Sequence, residues 1–299
     1  MDRKNFLRKS FLGTSMFVAS AAMGKVLVNG IDELKELDAT PLPDITGFNH
    51  IPHTNSKIMD NTILHKAATR GHANHGWLNS HHSFSFANYY NPERMHFGVL
   101  RVLNDDTVAP GMGFGTHPHD NMEIISIPLS GDLEHKDSMG NIATIRHGDI
   151  QVMSAGTGIQ HSEYNRNKDA EVKFLQIWVF PNKKNVTPRY DQITLDIKDR
   201  HNTLQQILSP SADDAGVWVH QDAWFHLGTF DKEVNSDYQL KKAGNGVYAF
   251  VLKGDFMIAD TEVNSRDGFG IWDVTNVPIK ALSQDAEILL MEVPMSMNA

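Results

Sequence analysis

From about residue 62 onward the chain is written in short runs of β-branched and aromatic residues, each stopped by a turn signal. No amphipathic stretch of ten residues lies between them. A chain patterned this way cannot bury its apolar residues on helices and must pair strands into a sandwich or barrel. Strands are predicted over 97–103, 122–129, 142–146, 150–153 and 172–180. The pattern resets after Pro188, with strands over 217–220, 224–230, 247–252, 256–259 and 286–293. Asn104-Asp105-Asp106, Ser130-Gly131-Asp132, His147-Gly148-Asp149 and Lys253-Gly254-Asp255 read as the breaks between strands. Residues 204–208 read as one or two helical turns. Segments 123–134 and 247–259 share an order of strand, Gly-Asp, strand, a weak internal echo. With 299 residues the chain has room for two such bodies of similar size.

Sixteen histidines are many for this length, and there is no cysteine. Disulfides, thiolate sites, iron–sulfur clusters and cysteine nucleophiles are therefore excluded. Imidazole and carboxylate metal chemistry is the natural place to look. The formal charge of −9 disfavours phosphate backbones, so nucleic acid is not an expected partner. His117 and His119 are two apart, a spacing that points both rings to one face of a strand. His161 and Glu163 repeat it. Three imidazoles and one carboxylate suit a first-row divalent ion: iron, manganese, nickel, copper, cobalt or zinc. An octahedral ion held by four such groups keeps two open positions for a substrate oxygen and dioxygen. Glu123 has two readings, as a base or hydrogen-bond acceptor near the metal, or as a buried structural carboxylate with its own partner. His220, Asp222 and His226 read as structural, because no later histidine follows to complete a site. His72, His75, His81 and His82 read as surface or core residues, with His81 and His82 the candidates for a pocket rim. Gly111-x-Gly113-x-Gly115 lacks the strand–helix context of a dinucleotide fingerprint, and there is no P-loop or nucleophile elbow.

The segment from Gly111 through His117, His119 and Glu123 resembles the first motif of the cupin superfamily. The spacing to Gly131 is one residue longer than usual. In the second motif Ser154-Ala155-Gly156 stands for the usual Pro-x-Gly, and the histidine comes four residues later. These departures resemble the pirin family. So do the phrases beginning at Arg70 (RGHANHGWL), His82 (HSFSFANYY), Thr116 (THPH), Glu134 (EHKDSMGN) and Gln151 (QVMSAGTG) and ending at His161-Ser162-Glu163. The resemblance runs from about Arg70 to Pro294. It implies an all-β bicupin, two double-stranded β-helix (jelly-roll) barrels, with boundaries at 61–186 and 187–299. It implies one metal, usually Fe2+, in the N-terminal barrel only, on His117, His119, His161 and Glu163 and not on Glu123. The activity it implies is quercetin 2,3-dioxygenase-like cleavage of a flavonol or similar aromatic substrate with O2. The alternative it carries is a non-catalytic metal-binding cupin, acting as a redox-responsive regulator or binding protein. A monomer is expected.

Residues 1–24 read as an export signal. Arg3, Lys4, Arg8 and Lys9 precede an apolar stretch too short to span a bilayer, followed by small residues that predict cleavage near Ala21 or Ala22. Arg8-Lys9-Ser10-Phe11-Leu12 is similar to a twin-arginine signal with Lys in the second position. A periplasmic protein without a membrane anchor is the expectation, with a cytoplasmic one as the alternative. Residues 25–60, broken by Pro and Asp, read as a linker.

Overall fold

The computed structural model describes residues 61–297. The expected signal segment and linker lie outside them. The described chain is almost entirely β and forms two jelly-roll barrels, each a seven-stranded sheet faced by a four-stranded one. In the first barrel the large sheet runs Arg189–Thr194, Asp149–Ser154, Glu123–Ser130, Val172–Val179, Leu100–Val108, Leu78–His82 and Gly71–Asn74. Its small sheet runs Gly113–His119, Ile159–Asn165, Asp132–Asp137 and Ile142–Arg146. In the second barrel the large sheet runs from Thr62–His65 through Gly268–Trp272, Asn245–Lys253, Ala286–Pro294, Trp224–Phe230 and Gln205–Ser209 to Val217–Trp218.

Two strands cross the boundary expected at 186/187. Thr62–His65 precedes the first barrel in sequence but pairs with Gly268–Trp272 of the second. Arg189–Thr194 follows the first barrel yet pairs with Asp149–Ser154 inside it. The barrels are thus clasped by an exchange of strands as well as by packing.

Alternation along the strands decides where each side chain goes. On Val172–Val179, Leu175, Ile177 and Val179 enter one apolar core with Ile125, Ile127, Phe250, Leu289 and Met291 from both large sheets. Their neighbours Gln176 and Trp178 turn to the inside of the first barrel. The interiors of the two barrels differ. The second is filled by a core of sixteen buried residues including Phe230, Phe256, Phe269 and Leu290. The first holds only two small clusters, around Leu133 and Phe174 and around Ile124 and Met153. Between those clusters the barrel carries polar side chains.

Two expectations are corrected. Residues 204–208 are not helical; Gln205–Ser209 is a strand, because pairing with Trp224–Phe230 and with Val217–Trp218 buries Ile207 and Leu208. Asn104-Asp105-Asp106 is not a turn but the middle of Leu100–Val108. Each acid is given partners there: Asp105 pairs with Arg70 at 3.1 Å and Arg266 at 3.2 Å, and Asp106 accepts from Ser80.

Candidate metal centre

His117 and His119 stand on Gly113–His119, which pairs antiparallel with Ile159–Asn165 so that His161 faces His117. The register then slips: Glu163, two residues on, pairs with Phe114, three residues back. In a regular strand Phe114 and His117 would point to opposite faces. This bulge lets both line the barrel interior. Close approach of the two strands requires glycine at 113, where a Cβ would stand 2.3 Å from the Glu163 carbonyl oxygen. After Asp149–Ser154 the chain turns through Gly156 at φ +48°, where a Cβ would lie 2.0 Å from the Val186 carbonyl oxygen, and returns as the strand bearing His161.

The three imidazoles converge. Nitrogens of His117, His119 and His161 all lie within 4.8 Å of one another. Glu163 belongs to a second, overlapping set with His161 and His135, equally close and fully buried. His161 is common to both. Burial, reinforced by the neighbouring His161 and His117 rings, lowers the pKa of His119 to about 4. Burial, then His117 and His135, lowers that of His161 to about 3. These rings are neutral at physiological pH and keep a lone pair. His119 Nε2 and both nitrogens of His161 are buried without a hydrogen-bond partner among the described residues. Buried imidazole nitrogens are seldom left so. Convergent, neutral and partnerless, they fit a divalent transition metal.

The Glu163 carboxylate is fixed from behind: Ser126 Oγ donates to Oε1 at 3.0 Å and Gln176 Nε2 to Oε2 at 2.7 Å. His117 Nδ1 lies 2.8 Å from the Gly115 carbonyl oxygen, which makes it the protonated nitrogen and leaves Nε2 as the lone-pair side. His135 Nε2 lies 3.2 Å from Asp137 Oδ2, and its Nδ1 has no partner among the described residues.

Glu123 is placed elsewhere. It shares its strand with Ser126, but three residues away and on the opposite face, with Ile125 and Ile127 of the inter-barrel core. Its Oε2 accepts from Ser154 Oγ at 2.7 Å, and it also accepts from the His220 backbone and feels the Arg189 charge. The reading as a base beside the metal is thereby corrected: the carboxyl is buried with its own partners, on the far side of the sheet. His220 packs on Trp218, Asp222 pairs with Lys242 and His226 lies against Tyr238, without converging. Of the upstream histidines, His75 and His82 line a cavity, while His81 stacks on His72 instead.

That cavity, of about 110 Å³, reaches from His117 and Glu163 inward between Phe86, Phe114 and Trp178. Its polar wall is a chain in which Ser80 Oγ donates to buried Asp106 and stands 2.8 Å from His82 Nε2. Burial pushes the Asp106 carboxyl up to about 7. A wider cleft lined by His117, His119, Met122, Ile159 and Trp178 opens from the same imidazoles to the surface. Trp178 lines both spaces, lies 4.9 Å from His119 ring to ring, and has an indole N–H without an acceptor among the described residues.

Comparison with known proteins agrees with this architecture. Residues 63–179 match the family model described as pirin, and residues 206–293 match one described as the quercetinase C-terminal cupin domain. The chain is 46% identical over 231 residues to quercetin 2,3-dioxygenase of Escherichia coli (strain K12), covering 77% of this chain and 98% of that one. It is 39% identical over 223 residues to a pirin-like protein of Caulobacter vibrioides, covering 74% and 95%. Among solved structures it superposes on the Escherichia coli bacterial pirin YhhW in complex with nickel(II) with a TM-score of 0.73. That match has 45% identity and covers 78% of this chain and 99% of that one.

Proposed function

The chain belongs to the pirin family, and we propose that it is a metal-dependent oxygenase cleaving a flavonol or similar hydroxylated aromatic substrate with O2. In this reading His117, His119, His161 and Glu163 hold one divalent transition metal, with iron first among the candidates. The observation that carries it is the juxtaposition of three convergent imidazoles, those of His119 and His161 with buried nitrogens that lack partners among the described residues, with a cavity walled by aromatic rings. A metal bound there supplies Lewis acidity that lowers the pKa of a substrate hydroxyl.

The protein's own groups do the rest. Ser126 and Gln176 hold the Glu163 carboxylate in one orientation. Phe86, Phe114 and Trp178 give a flat ring an apolar, aromatic wall; the cavity approaches the size that holds benzene, roughly 150 Å³. The indole N–H of Trp178 is a donor for a substrate carbonyl or hydroxyl at the junction of cavity and cleft. Asp106, with Ser80 and His82 behind it, offers an acceptor for a phenolic proton inside the cavity. Export of a monomer to the periplasm through residues 1–24 is part of the proposal, and the N-terminal residue of the protein recovered from the periplasm tests it.

The test of the activity is oxygen consumption with quercetin by protein reconstituted separately with iron, manganese, nickel and copper. Uptake matched by carbon monoxide release in at least one metal form is the expected result. Absence of uptake by every metal-loaded form would overturn the quercetinase reading.

A further inference from the structure

We propose that the seam between the barrels is a second small-molecule site, which takes an organic carboxylate on Arg200. A cavity of about 230 Å³ lies there, bounded by both barrels and sharing no residue with the spaces around the imidazoles. Arg200 forms part of its wall with only 8% of its surface exposed. Its hydrogen bond among the described residues runs to His147 Nε2 at 3.4 Å, at the long end of such contacts. Glu287, on the same wall, favours its charge through space from beyond ion-pair distance.

A guanidinium cannot shed its proton to escape burial, so a charge held this way calls for a counter-ion. The other charged groups around the cavity do not supply one. Arg266 is committed to Asp105 at 3.2 Å. The oxygens of Asp149 are taken by the Arg146 backbone N–H, the Gln192 amide and the Thr194 hydroxyl. Lys253, exposed at the rim, adds a second positive charge with no ion pair among the described residues. Among the described residues, Arg200 and Lys253 therefore face one acid of the cavity wall that is not otherwise paired, Glu287.

The remainder of the wall sets the ligand's other half. Ile127, Leu129, Ile150, Leu227 and Leu252 are apolar. A planar guanidinium fork matches a carboxylate through two parallel N–H···O bonds. A head of that kind on a short hydrocarbon chain or ring satisfies both halves, whereas a bare inorganic anion leaves the apolar half unused. Because both barrels contribute, occupancy also braces the seam.

The test is calorimetric titration of the full-length, metal-loaded protein with hexanoate, beside 1-hexanol and inorganic phosphate. Saturable hexanoate binding is expected, together with a raised melting temperature. Arg200→Met keeps the aliphatic stem, and there the affinity should fall at least about tenfold, the loss of a charge-assisted contact. Metal content should not change. Should Arg200→Met fail to fold, Leu129→Trp, which fills the apolar half from a half-buried position, should abolish binding. Four outcomes would overturn the assignment: no saturable hexanoate binding to the unmodified protein, equal binding by the variants, equal binding of hexanol, or phosphate binding as tight as hexanoate.

Discussion

Replacing Glu123 by Gln should stabilise the protein in a pH-dependent way. Burial pushes this carboxyl up from 4.5 to about 7, against the opposing pull of the Ser154 hydroxyl, the His220 backbone and Arg189. Between those pH values the folded chain holds a proton that the unfolded chain has released. The contribution is therefore full below the unfolded pKa and is lost as pH rises through the folded one. At about 1.4 kcal/mol per unit, the loss across the window is roughly 3 kcal/mol. Gln does not titrate and forgoes that loss. The buried His65, His82 and His226, each lowered to about 4, oppose the trend but titrate alike in both proteins and cancel in the difference. Urea unfolding of the two proteins at pH 5, 6, 7 and 8 gives the comparison. The free-energy gap should move in favour of Glu123→Gln by about 2.5 kcal/mol between pH 5 and 8. A gap that stays constant, or one that moves toward the unmodified protein as an ionised Glu123–Arg189 pair requires, would refute the reasoning. Metal content should be the same in both, since the side chain faces away from the imidazoles.

Gln176→Leu removes the donor to Glu163 Oε2 and should weaken metal binding roughly 10- to 100-fold, measured by competition with a chromophoric chelator. Trp178→Ala should raise KM for quercetin about tenfold, the loss of an aromatic wall worth roughly 1–1.5 kcal/mol, with metal content unchanged. Leu289→Ala opens a hole in the core shared by both barrels and should cost about 2–5 kcal/mol in calorimetric unfolding; a cost below about 1 kcal/mol would show that the seam relaxes around it.

Strands with uninterrupted β-branched and aromatic residues were legible: 142–146 and 224–230 have the bounds that the sequence indicates. Asn104-Asp105-Asp106 was misleading because turn propensity is local, while the partners that hold these acids in a strand, Ser80, Arg70 and Arg266, come from distant segments. The exchange of Thr62–His65 and Arg189–Thr194 between barrels could not be read, since a short strand carries no sign of which sheet edge it joins. At the site, two-residue spacing picked out His117 with His119 and His161 with Glu163. The same spacing joins His135 to Asp137, so the sequence carries a signal for this pair as well. Ser126 and Gln176 gave no sign, because a buried hydroxyl or amide inside an apolar strand declares its partner only once the sheets are closed. For Glu123, its place in the cupin-like first motif leaves a role beside the metal open, whereas strand alternation assigns it to the other face.

The most direct test of the central claim is metal content by elemental analysis after anaerobic loading with Fe2+ and removal of excess, for the unmodified protein and for His161→Ala. His161 belongs to both overlapping donor sets, so its loss disables either. About one ion per chain in the unmodified protein and almost none in the variant is the predicted result, with three imidazoles and a carboxylate as the expected donor number. Near-stoichiometric iron in a folded His161→Ala protein would contradict the account.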